Sequence, residues 1–149
     1  MPLHIFVDAD ACPVKEEVYK VAYRTEVAVT LVSNTYLRIP NHELIKQIVV
    51  DVSPDAADDY IAEHVDEQSI VITSDIPLAD RCIKAQAIVI APNGKQFTEN
   101  SIGAAVATRA LMQDLRATGD IIGGPPPFEN KDRSRFLQTL DTAIVRLQR

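Results

Sequence analysis

At 149 residues, with 46% hydrophobic and 24% charged residues, the chain has the size and composition of one soluble domain with its own core. No apolar run reaches the roughly 18–20 residues of a membrane span and no secretory leader opens the chain, so a cytoplasmic location without a membrane partner is expected. Cys12 and Cys82 lie outside any CxxC spacing, which argues against a disulfide framework or a zinc cluster, and the net charge of −6 argues against nucleic-acid binding through bulk charge. That charge is uneven: residues 1–108 carry −8 and residues 109–149 carry +2, an acidic body followed by a segment able to meet phosphates.

Residues 3–7 read as a buried strand and residues 11–25 as a helix, its Val14, Val18, Val21 and Ala22 recurring at helical spacing. Residues 27–32, dense in β-branched side chains, form a second strand. A loop with Pro40 over 34–41, one helical turn over 43–47 and a third strand over 48–52 follow. Ser53 and Pro54 suit an N-cap and a first helical position, opening a helix to about residue 65 that carries Asp55, Asp58 and Asp59. Next come a strand over 69–73, a short helix over 76–85, a strand over 87–90 and a turn at Pro92-Asn93-Gly94. Two helices, over 100–117 and 133–147, flank a loop near 119–130 that is too rich in Gly and Pro to continue either of them. The alternation predicts a single α/β domain: a three-layer α/β/α sandwich on a mainly parallel sheet of about five strands, with C-terminal helices appended.

Two strands run into aspartates, the first into Asp8 and Asp10, the fourth into Asp75 and, a turn later, Asp80. Residues just past the carboxyl ends of strands line the ligand crevice of an open α/β sheet. Taken singly, Asp10 reads as a cap for the first helix and Asp75 as a cap for the helix at Ile76-Pro77. Asp8 ends an apolar run and caps no helix there, so its burial calls for a cation or a buried Arg or Lys. With the first and fourth strands as neighbours, about 4.8 Å apart, Asp8 and Asp75 would share one or two Mg²⁺ or Mn²⁺ ions, hard cations that prefer oxygen. Asp10, Asp58 or Asp59, and Asp80 are the candidates to complete the metal set, and a two-metal site of this kind suits phosphodiester cleavage.

Around this acidic cluster, Arg81 is expected to pair with an acidic neighbour, His64 to lie at the surface, and the three histidines to share no ligand spacing. Lys131, Arg133, Arg135 and Phe128 are candidate substrate contacts. Arginine grips phosphate bidentately, Phe128 or Phe136 would stack on a base, and Gly123–Phe128 would fold over the crevice mouth.

The stretches Phe6-Val7-Asp8-Ala9-Asp10-Ala11-Cys12-Pro13-Val14, Thr73-Ser74-Asp75-Ile76-Pro77-Leu78-Ala79, Gly123-Gly124-Pro125-Pro126-Pro127-Phe128 and Lys131-Asp132-Arg133-Ser134-Arg135-Phe136 together resemble the bacterial YaiI/YqxD family over essentially the whole chain. That family is similar, more distantly, to PIN-like and FEN-like nuclease domains. The resemblance implies an acid after the first strand (Asp8), an acid on a central helix (Asp58 or Asp59), a Thr-x-Asp after the fourth strand (Thr73 and Asp75) and an additional acid at Asp80. It implies metal-dependent phosphodiester hydrolysis, often of RNA, with Asp8 and Asp75 as the catalytic pair. Membership of the wider group does not guarantee activity. A second resemblance, to haloacid-dehalogenase-like phosphatases, rests on Asp8-x-Asp10, Ser33, Lys46 and Asp75-x(4)-Asp80. It would make Asp8 a covalent nucleophile and Asp10 a general acid, although no cap insert is apparent. A third reading keeps the crevice without the chemistry, as a non-catalytic module binding nucleic acid or a nucleotide.

Overall fold

The computed structural model describes residues 3–53, 55–117 and 128–148. Six strands form one sheet: β1 (His4–Asp8), β2 (Ala28–Ser33), β3 (Ile45–Val49), β4 (Ser69–Ile72), β5 (Ile88–Ile90) and β6 (Gln96–Phe97). Their order is β3-β2-β1-β4-β5-β6, parallel except for the antiparallel β5–β6 pair. The helices are α1 (Lys15–Thr25), α2 (Ala56–His64), α3 (Ile76–Lys84), α4 (Glu99–Ala117) and α5 (Asn130–Gln148).

Side chains alternate across a strand, so each central strand feeds two cores. Ile5, Val7, Ile70 and Ile72 face one side with Val18 and Ala22 of α1 and Phe136, Leu140 and Ile144 of α5. Phe6, Val71 and Val89 face the other side with Ala57 and Ile61 of α2, Leu78 and Cys82 of α3 and Ile102 of α4. The fold is therefore a three-layer α/β/α sandwich, and burial on both faces explains why the central strands read as unbroken apolar runs. Phe136, Leu140 and Ile144 are fully buried, each contributing about 2 kcal/mol by leaving water. Among the described residues, no helix is long and apolar enough to cross a membrane.

Four local expectations are corrected. The helix predicted over 11–25 is split into a 3₁₀ turn at Ala9–Ala11 and α1, with Cys12 extended (φ −96°, ψ 114°) because it precedes Pro13. The helical turn over 43–47 does not form; β3 occupies Ile45–Val49 because its ladder to β2, with Val29 opposite Ile45 and Ser33 opposite Val49, overrides the local helix-forming tendency. Asp55, not Ser53, stands in the capping position of α2, which starts at Ala56. A sixth strand, β6, follows the turn at Gly94, whose φ of +90° and close approach to α5 both require glycine: a Cβ there would lie 2.6 Å from Arg135 Cγ. The Gly/Pro-rich stretch Gly123-Gly124-Pro125-Pro126-Pro127 lies outside the described residues.

Candidate active site

The strand order reverses between β1 and β4, the position at which open α/β sheets place their ligands. In the β1–β4 ladder Val7 lies opposite Ile72, so the chain leaves the sheet at Asp8 on one strand and Thr73 on the next. The Thr73 hydroxyl donates to Asp8 Oδ2 at 2.8 Å and accepts the Asp75 backbone N–H at 3.0 Å. Asp75 is the N-cap of α3, its Oδ1 accepting from the Leu78 N–H at 2.9 Å with Pro77 in the first turn. One buried threonine thus ties both acidic corners together. A cavity of about 230 Å³ opens here, lined by Asp8, Asp10, Cys12, Thr73, Ser74, Asp75 and Pro92.

Asp10 does not cap α1, whose N-cap position is Val14 with no side-chain bond. Pro13 delays the helix, and Asp10 instead sits in the 3₁₀ turn and accepts the Asn34 N–H at 3.1 and 3.2 Å, joining the β1 loop to the end of β2. On α2 the two neighbouring acids part company. Asp59 is exposed and binds Arg81 at 2.8 Å, whereas half-buried Asp58 faces the charges of Asp75 and Asp8. Asp80 is taken up by Lys84 at 3.0 Å and does not line the cavity.

The electrostatics show carboxylates crowded together, with Arg81 acting against the crowding at Asp58 alone. Burial pushes the Asp8 carboxyl up, its hydrogen bond from Thr73 pulls it down, and the charges of Asp75 and Asp10 push it up again. Asp58 is raised to about 6 by burial first, then by Asp75, Asp8 and Asp55, against a lowering by Arg81. Among the described residues, no ion pair reaches Asp8, Asp10, Asp58 or Asp75. Nor, among the described residues, do three or more His, Cys, Asp or Glu side chains come together as a group that could hold a metal ion, so the protein itself offers at most two such ligands at one point. That donor set does not suit Zn²⁺ or a protein-caged Ca²⁺. It fits Mg²⁺ or Mn²⁺, since Mg²⁺ typically takes one or two carboxylates and leaves its other positions to water and substrate phosphate.

A family model described as "Uncharacterized BCR, YaiI/YqxD family" matches residues 6–146. The chain belongs to the YaiI/YqxD family. A UPF0178 protein of Sphingopyxis alaskensis is 62% identical over 146 residues, covering 97% of this chain and 95% of that protein. UPF0178 proteins of Rhodopseudomonas palustris and Nitrobacter winogradskyi are 59% and 56% identical, covering 97% and 99% of this chain and 92% and 94% of theirs. No solved structure matches the chain.

In this YaiI/YqxD-family protein two of the three candidate basic contacts, Lys131 and Arg133, are engaged within the chain. The Arg133 guanidinium donates to the Pro13 carbonyl at 2.7 Å and Glu17 Oε1 at 2.9 Å, and lies 4.9 Å over the Phe128 ring. Lys131 pairs with Glu129 at 3.3 Å. Arg135 is exposed and passes Gly94. Phe136 is fully buried and offers no face to a base. The phosphatase-like set is not assembled: Ser33 is buried and donates to the Thr35 carbonyl at 2.6 Å, and the charge of Lys46 acts on His4 at the amino end of β1. Lys15, which sequence reasoning passed over, donates to the Ala9 carbonyl at 3.4 Å and stands beside the β1 loop. Its signal was its place at the start of the first helix, one residue beyond the Asp8–Pro13 run.

Proposed function

We propose that this chain is a divalent-metal-dependent phosphodiesterase acting on RNA at the crevice between β1 and β4. The observation that carries this reading is the gathering of Asp8, Asp10 and Asp75 around one opening, with Asp58 near enough for Asp8 and Asp75 to raise its carboxyl and no ion pair to any of the four among the described residues. Such a cluster attracts a cation, and a phosphate reaches it only alongside one. Asp8 and Asp75 would hold Mg²⁺ or Mn²⁺, which supplies Lewis-acid stabilisation of charge on the phosphoryl oxygens.

The chain's own groups do the rest. The Thr73 hydroxyl and the Leu78 N–H fix the two carboxylates, so neither has to reorient when substrate arrives. Asp58, whose carboxyl is raised to about 6, would serve as the base that takes a proton from the attacking water at neutral pH. The Asn34 N–H holds Asp10 at the rim, and Lys15 stands ready to meet a non-bridging phosphate oxygen. The choice of RNA rests on the likeness of Asp8, Asp58 and Thr73-Ser74-Asp75 to the acids of PIN-like domains.

The test is cleavage of end-labelled single-stranded RNA in Mg²⁺ or Mn²⁺ by the native chain, Asp8→Asn and Asp75→Asn, with Mn²⁺ affinity measured in parallel by calorimetry. Cleavage and metal binding lost in both folded variants is the expected result. Cleavage surviving both changes, or absent from the native chain in every divalent metal, overturns the proposal; RNA binding without turnover would make the protein a binding module.

A further inference from the structure

The loop that Asn34 ties to Asp10 carries an aromatic ring that this chemistry does not use. Tyr36 is 82% exposed. The other three tyrosines have surroundings: Tyr19 is buried, Tyr23 meets His42 at 4.7 Å and Tyr60 stacks on His64 at 4.0 Å. Among the described residues Tyr36 has no ring partner. A single exposed tyrosine on a loose loop would mean little, but this loop is pinned on both sides of it. The Ser33 hydroxyl donates to the Thr35 carbonyl at 2.6 Å, and the Asn34 side chain donates to the Asp51 carbonyl at 2.9 Å. The Gln47 amide accepts the Leu37 N–H at 2.9 Å and returns a bond to the Leu37 carbonyl at 2.8 Å. The ring is therefore carried on an ordered backbone, with little entropy left to lose on binding.

Its position matters as much as its exposure. The Asn34 N–H sits on the Asp10 carboxylate at 3.1 Å, and Tyr36 is two residues further, at most about 7.6 Å along the Cα trace. A step of that length is comparable to the spacing of neighbouring nucleotides in a single strand, so a strand crossing the rim at Asn34 could reach Tyr36. Arg38, two residues beyond, is exposed and supplies positive charge on an otherwise acidic edge.

We propose that Tyr36 is a base-stacking platform that accepts one nucleobase of single-stranded RNA, with Arg38 meeting the adjoining phosphate and the scissile phosphate over Asp8 and Asp75. This rests on the phosphodiesterase reading and deepens it by naming the substrate as single-stranded. A ring of this kind takes any unstacked base on its face, whereas the bases of a duplex are already stacked within it.

The chain contains no tryptophan, so Tyr36→Trp introduces its only indole, at a position open enough to tolerate it. That variant is titrated with an oligouridylate, and with an abasic oligomer of equal length, in Ca²⁺. Saturable quenching by the oligouridylate but not by the abasic oligomer is the expected result. In a separate anisotropy measurement with labelled oligouridylate, Tyr36→Ala should bind about tenfold more weakly than the native chain, with an unchanged melting temperature. Absent quenching, equal quenching by the abasic oligomer, or Tyr36→Ala binding within twofold of native overturns the platform. Because the readout is binding, quenching without turnover by the native chain removes only the nuclease reading. Turnover without quenching removes only the platform.

Discussion

Replacing Asp58 with asparagine should stabilise the protein at neutral pH while impairing its chemistry. Burial and the neighbouring charges of Asp75, Asp8 and Asp55 raise this carboxyl from 3.8 to about 6. The folded state therefore binds the proton more tightly than the unfolded one, and stability falls as pH rises from about 4 through 6. The full difference corresponds to about 3 kcal/mol. Because the carboxyl is half in water, screening reduces this to about 1 kcal/mol, or about 2–4 °C in Tm for a chain of this length. A neutral amide at this position carries no such penalty, so thermal melts in EDTA should show Asp58→Asn above native at pH 7.5, with the gap closing as pH falls below 6 and gone near pH 3, where the carboxyl is protonated in both states. Mn²⁺ should narrow the gap at pH 7.5, since a cation held by Asp8 and Asp75 offsets the charges that penalise the native Asp58 carboxylate and binds the native, more negative site more tightly. Asp59→Asn, which merely loses an exposed pair with Arg81, should show no gain. A neutral or destabilising Asp58→Asn at pH 7.5, or a gain that persists unchanged to pH 4, would refute the crowded-carboxylate reasoning.

Thr73→Val removes the donor to Asp8 and strands the Asp75 N–H, so urea melts should show a loss of about 1–3 kcal/mol and calorimetry a weaker Mn²⁺ affinity, both largely restored in Thr73→Ser. Gly94→Ala forces a side chain to φ +90° and to 2.7 Å from the backbone of Arg135 and Phe136; chemical denaturation should report a loss of about 2–4 kcal/mol, and a loss below about 1 kcal/mol would count against that geometry. Burial raises the thiols of Cys12 and Cys82 to about 11 and about 12, so at pH 8 a disulfide reagent should label the native protein on the order of a hundredfold more slowly than the urea-unfolded one.

Much of this architecture was legible because burial on both faces writes itself into the chain. Ile70-Val71-Ile72 and Ile5-Phe6-Val7 can hardly be anything but core strands, and acids that end such runs stand out. β3 was misplaced because Glu43-Leu44-Ile45-Lys46-Gln47 holds good helix formers, and only the ladder to β2 decides their state. β6 has two residues and no run of its own; it exists because the Gly94 turn returns the chain to β5. On α2, the buried pair Ala57 and Ile61 marks the inner face, and Asp58, three residues before Ile61, flanks that stripe more closely than Asp59. That choice was available in the pattern, whereas the partners of Asp10 and Arg133 were not. Asn34 and Pro13 meet them through backbone groups that folding alone brings into reach.

The Arg133 link to Pro13 and Glu17 has a consequence for how the protein comes into being. α5 covers the same side of the sheet as α1, and its guanidinium closes the loop that follows Asp10, yet more than a hundred residues separate the two helices. At about 5–20 residues per second of synthesis, the emerging chain carries β1 and α1 for about 5–20 s before α5 is made. During that interval Val18 and Ala22 lack their covering helix and the crevice wall at Cys12 and Pro13 lacks its clasp. The crevice wall is therefore complete only once α5 has emerged from the ribosome, and on the proposed phosphodiesterase reading nascent and truncated chains would leave the RNA around them uncut.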